Sequence, residues 1–220
     1  MQGTLVNEKR MADHLLVDRY GDFCLTDAIR PAQTLPIVPK QGYRIETYRD
    51  AKANFEVPVL VAAVSREQLF DVFLGLLDPL GEVVDVVLET SHETTHGQAG
   101  GQHQDLFREA MDLPVLKSHC CDYEDMLLND GCAGVAVMST EGPMEVQFDE
   151  HKLLVVYAPD LKPFIRVMRE FGIVREDQMK LITEAEHLHS TEERHRAQFE
   201  QMCCRVGVGS EFEPVGSGEW

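Results

Sequence analysis

The chain is poor in positive charge. Lys and Arg total 20 against 38 Asp and Glu, a formal net charge of -18. Such a surface repels phosphate backbones and anionic headgroups, so no nucleic-acid role and no electrostatic docking on a membrane is expected. Nor is there an apolar run near the roughly 20 residues that span a bilayer. The N-terminal MQGTLVNEKRMADHLLVDRY has neither the apolar core nor the small-residue cleavage site of a signal peptide. The six cysteines (24, 120, 121, 132, 203 and 204) form no C-x-x-C, which argues against a zinc knuckle or a dithiol redox motif. Reduced thiols in a cytoplasmic protein are the reading that follows. Phosphate loop, dinucleotide fingerprint and G-x-S-x-G elbow are all missing.

What is present is enough apolar material, 44% of residues, for a substantial core. The clearest signal begins with PVLVAAV (58–64), a continuous apolar run that suits a strand buried on both faces. Ser65 and Gln68 form an S-x-x-Q capping box. Leu69, Phe70, Val72, Phe73, Leu76 and Leu77 follow at helical spacing, and Pro79 and Gly81 end the helix. VVDVVLET (83–90) is a second strand. Strand, helix and strand predict a parallel βαβ unit. A short helix is expected over 104–111 and another over 115–129, with Leu116, Cys120, Tyr123 and Leu127 on its buried face. AGVAVMS, MEVQFD and KLLVVYA, at 133–139, 144–149 and 152–158, predict an antiparallel meander. Asp160 caps a helix that Gly172 stops.

From 176 to 206, Leu181, Ala185, Leu188, Glu192, His195, Phe199, Met202 and Val206 keep a heptad rhythm, which predicts a long helix. A second S-x-x-E box, Ser190 and Glu193, marks where that helix could break. The fold expectation is therefore α/β (mixed α+β): a mixed sheet of about five strands, one parallel βαβ unit plus an antiparallel meander, helices packed on the sheet, and a long C-terminal helical segment. The expected organisation is an irregular N-terminal arm (1–55, with an edge strand at Tyr43–Tyr48), an α/β core domain (56–175), a C-terminal helical extension (176–206) and a flexible tail (207–220).

SHETTHGQAGGQHQDL (91–106) concentrates His92, His96 and His103 around glycines. His92-Glu93-Thr94-Thr95-His96 matches the letters H-E-x-x-H, in which two histidines on one helical face hold zinc and the glutamate is the general base. Here Thr94, Thr95, Gly97, Gly100 and Gly101 oppose a helix. Ala99 and Gln102 stand where the metzincin pattern has glycine and histidine, and His103 comes one place later. The stretch does lie past a strand end, where ligand sites of open α/β sheets cluster.

The remaining candidates have simpler readings. His119 and Cys120 could form a nucleophile–base pair, but adjacent helical side chains diverge, and Cys120 falls on the apolar face. His187, His189 and His195 lie among glutamates and read as a solvated charged helix rather than a carboxylate–histidine metal site, except that His195, in the heptad seam, could set register against Glu192 of a partner. Asp85 and Glu89 read as the polar face of a strand. Two functions result. One is a non-enzymatic binding or regulatory module that forms a homo-oligomer or binds a protein partner through its C-terminal helix. The alternative is a metal-dependent hydrolase, zinc being the expected metal, with His92, His96 and His103 as ligands and Glu93 as catalytic base.

Overall fold

A computed structural model describes residues 16–32, 37–50, 55–91 and 104–208. The main element is a seven-stranded sheet. In chain order its strands are β4 (Gly42–Asp50), β5 (Phe55–Ala63), β6 (Val83–Thr90), β7 (Gln104–Asp112), β8 (Ala133–Ser139), β9 (Glu145–Phe148) and β10 (Leu153–Tyr157). Their spatial order is β4-β5-β10-β9-β8-β6-β7, and every neighbouring pair is antiparallel. Two small antiparallel pairs accompany it: β1 (Arg19–Tyr20) with β2 (Phe23–Cys24), and β3 (Ile29–Pro31) with β11 (His187–His189).

This corrects the expected mixed sheet of about five strands with a parallel βαβ unit. β5 and β6 do point the same way, but β10, β9 and β8 lie between them. The connecting helix α1 (Arg66–Leu77) thus crosses three strand positions, which the distant meander fills. The continuous apolar run of β5 has another cause than parallel pairing. Leu60 and Ala62 face a helical layer, whereas Val57, Val59, Val61 and Ala63 face an outer layer built from residues 23–29 and 179–182. Burial on both faces removes alternation whatever the strand direction.

The helical layer comprises α1, α2 (Leu113–Asp122), α3 (Glu124–Asn129), α4 (Lys162–Glu170) and α5 (Glu193–Val206). The predicted 115–129 helix breaks at Tyr123, where φ and ψ leave the helical region. Its predicted face of Leu116, Cys120, Tyr123 and Leu127 is buried as a set. The helix expected at 104–111 is instead β7, the hairpin partner of β6, with Leu106 opposite Leu88. A bulge near its end puts Ala110 at φ 51, and the Ala110 N–H donates to Asp85 Oδ1 at 2.8 Å. Asp85 therefore secures a bulge.

The long C-terminal helix is corrected as well: only Glu193–Val206 is helical. Upstream, Glu184 turns back to accept the Leu181 N–H at 2.8 Å, closing a 3₁₀ turn over Ile182–Glu184. Leu188 is drawn into pairing with Arg30 and is left 43% exposed, so the heptad seam is interrupted there. Its helical part, with His195, Phe199, Met202 and Val206 buried, packs on α2 and α3 of the same chain. The Ser65 capping box does not form either. The Ser65 hydroxyl accepts the Cys24 N–H at 2.9 Å and donates to Glu67, which ties β2 to the start of α1.

The outer layer sets Phe23, Leu25, Ile29, Met179, Leu181 and Ile182 against β5 and β10. Its β3–β11 ribbon is held at one sheet end, where β5, β6 and β9 finish and β8 and β10 begin. There the Gly131 N–H donates to Ser190 O and the Ser190 N–H to Ala28 O, each at 2.8 Å.

Candidate metal centre

Three histidines meet at that sheet end. His151 lies in the β9–β10 turn, and His187 and His189 lie on β11. Residues two apart on a strand point to one side, so His187 and His189 project together while Leu188 faces away. The ring centroids are 5.0 Å apart for His151 and His187, 4.8 Å for His151 and His189, and 5.1 Å for His187 and His189. One nitrogen from each ring lies within 4.8 Å of the other two. Zinc–imidazole bonds of about 2.05 Å in a tetrahedron require nitrogens about 3.3 Å apart. Binding one ion would require the three rings to draw together.

Each ring is oriented by an acceptor on Nδ1. His187 Nδ1 donates to Ala185 O at 2.7 Å, and His189 Nδ1 to Gly131 O at 2.6 Å. A carbonyl only accepts, so Nδ1 carries the proton in both rings and Nε2 keeps its lone pair. His151 Nδ1 lies 3.2 Å from Asp149 Oδ2. The other Asp149 oxygen accepts the Leu153 N–H at 2.7 Å, which fixes the carboxylate on its own turn. An acceptor on the far nitrogen of each imidazole is the usual support for histidine metal ligands, because it sets both tautomer and ring direction.

Burial alone pushes the His151 imidazole down. The hydrogen bond to Asp149 and the negative charges of Asp149 and Glu150 outweigh it, so the net shift is upward. Next in the turn, Lys152 is buried, and that burial lowers its ammonium to about 8 against the pull of Asp149, Asp130 and Glu150. Three neutral imidazoles suit zinc, copper, nickel or iron(II) better than calcium or magnesium, which prefer oxygen.

His92, Glu93, His96 and His103 lie outside the described residues. The residues that bracket them do not. Thr90 pairs with Gln104, and the Ser91 N–H donates to Cys132 O at 2.9 Å. Cys132 adjoins Gly131, the acceptor of His189 Nδ1. Other sequence candidates take different places. Cys120 is wholly buried in the core, and burial drives its thiol up to about 12. His195 is buried on α5, with Nε2 3.9 Å from Asp125 Oδ2, away from the other two members of its predicted group.

The reading of 176–206 as one helix conceals the histidine cluster. On a helix, positions 187 and 189 diverge by about 200°; on a strand, H-x-H is a pair of ligands. The usable signal was that spacing together with a third histidine in a tight turn. No family model, curated protein or solved structure matches the chain, so the residues themselves carry the functional argument.

Proposed function

We propose that the protein binds a divalent transition metal, zinc in preference, through His151, His187 and His189, and that the ion joins the outer layer to the main sheet. The observation that supports this reading is the clustering of the three rings, with one nitrogen of each within 4.8 Å of the others, together with an acceptor at each Nδ1 that leaves the Nε2 lone pair of each ring available. Zinc held by three imidazoles with a water in the fourth position lowers the pKa of that water to about 7.

Hydrolysis by a metal centre that uses His92, His96 and His103, with Glu93 as base, is a second reading. It is favoured by the Ser91–Cys132 hydrogen bond, which brings the chain to this sheet end immediately before those residues. Metal analysis separates the two. Protein purified without added metal, then loaded with zinc and desalted, is expected to retain one equivalent. The combined replacement of His92, His96 and His103 by Ala should leave that equivalent in place. Its loss there, with retention in His187→Ala, would favour the second reading.

The affinity should depend on pH in a defined direction. Zinc binds the unprotonated ring, and His151 sits above the ordinary imidazole value of about 6.5. Binding is therefore full at high pH and weakens as pH falls through the His151 range, by about tenfold per pH unit for its one proton. Competition with a chromophoric chelator between pH 8 and 5.5 measures this slope; a flat profile would contradict the assignment of His151.

A cytoplasmic location is proposed on the six free cysteines. Among the described residues no helix is long and apolar enough to cross a membrane. Association with a protein partner or a second copy through residues 176–206 is a separate proposal. It would use the outer surface of α5, because Phe199, Met202 and Val206 are buried within the chain. The charge of -18 favours a basic partner and disfavours nucleic acid.

A further inference from the structure

The geometry points to Lys152 as a positioning residue of the metal centre, one that locks together the two segments whose acceptors aim His151 and His189. The inference rests on the metal-binding reading above. Lys152 combines two unfavourable features. Its backbone is left-handed, φ 60, a region that favours glycine or asparagine. Its side chain is also removed from water, at 5% exposure, where an ammonium is costly unless it is partnered. Such a residue persists where its surroundings require it, and these features cluster at functional sites.

The surroundings define the requirement. Lys152 Nζ donates to Ala133 O at 2.8 Å and stands 5.2 Å above the Phe148 ring. Ala133 lies two residues after Gly131, whose carbonyl holds His189. Lys152 follows His151, and its own N–H donates to Asp149 O at 3.0 Å in the turn that directs Asp149 at His151. The lysine is thus a tether between the 131–133 segment and the 149–152 turn. Without it each acceptor can still form, but the two segments are then tied only through the β8–β9 pairing, and the distance between the two imidazoles they orient is less closely set.

Two replacements separate this role from plain structure. Lys152→Met keeps the apolar stem and removes the donor. Lys152→Gly removes the donor and also relieves the left-handed backbone. Zinc binding to the full chain, read by chelator competition at pH 8, is expected to weaken about 10–100-fold in both, the range seen when outer-shell partners of metal ligands are lost. The visible spectrum of the cobalt(II)-loaded protein should change in band position or intensity in both, with native far-UV circular dichroism. Wild-type affinity and an unchanged cobalt spectrum in either natively folded variant would overturn the tether while leaving the metal site intact. Loss of zinc only together with loss of the native circular dichroism in both variants would also overturn it. Failure of wild-type protein to bind zinc or cobalt would instead remove the metal site on which the tether depends.

Discussion

His189→Ala is expected to reduce bound zinc from one equivalent to none and to weaken binding by more than about 100-fold, beyond the loss attributed to outer-shell partners. The substitution is informative because it is nearly silent otherwise. His189 lies on the exposed side of β11, and its described hydrogen bond is to Gly131 O. Deleting one such bond changes the stability of metal-free protein by about 1 kcal/mol. The effect of metal is larger. Zinc supplied at about 100 times its dissociation constant stabilises a protein that binds it only when folded by about 2.7 kcal/mol. Wild type should gain that increment on loading and His189→Ala should not. Denaturant unfolding with and without zinc measures both states. An equal zinc-induced gain in the two proteins would place the metal elsewhere.

Gly131→Ala is expected to do more damage than its single methyl suggests. A Cβ there would stand 2.4 Å from Ala28 O, 2.9 Å from Ser190 O and 3.0 Å from Ser190 N. All three are backbone atoms of the outer layer, held by the Gly131–Ser190 and Ser190–Ala28 hydrogen bonds, and none can swing aside as a side-chain tip does. The layer must lift from the 130–132 segment, breaking those bonds and moving His189 from its acceptor. A stability loss of about 3 kcal/mol, at the upper end for overpacking, is expected together with loss of zinc. Gly142→Ala is the matched control, since a Cβ there meets nothing within 4 Å and its effect should stay within about 0.5 kcal/mol. Destabilisation of Gly131→Ala below about 1 kcal/mol, with zinc retained, would show that the close approach is not required.

Local signals proved readable where one segment decides its own structure. PVLVAAV is a strand, and 66–77 is a helix with Leu69, Phe70, Phe73 and Leu76 inward. The three runs of 133–158 pair as successive antiparallel strands, and Tyr43–Tyr48 lies within edge strand β4. What sequence could not supply was the partner of each strand. Nothing in 57–90 reveals that residues 133–157 will insert between β5 and β6, and the two-sided burial of β5 comes from an outer layer distant in sequence. The same dependence on distant pairing hid the histidines. The heptad spacing through Leu181, Ala185 and Leu188 is real, yet pairing of 187–189 with 29–31 overrides it, as tertiary context often overrides local propensity. Once 187–189 is a strand, His187 and His189 become neighbours on one side, and the β9–β10 turn supplies His151. The letters H-E-x-x-H at 92–96 lie outside the described residues, and the strand end before them is the sheet end that carries His151, His187 and His189.

X-ray absorption on the zinc-loaded 220-residue chain tests the central claim most directly. Three imidazole ligands at about 2.0–2.1 Å, lost together with bound zinc in His187→Ala, are the predicted result. Sulfur scattering at about 2.3 Å, or a first shell of oxygen alone, would assign the metal to other side chains and contradict the histidine site.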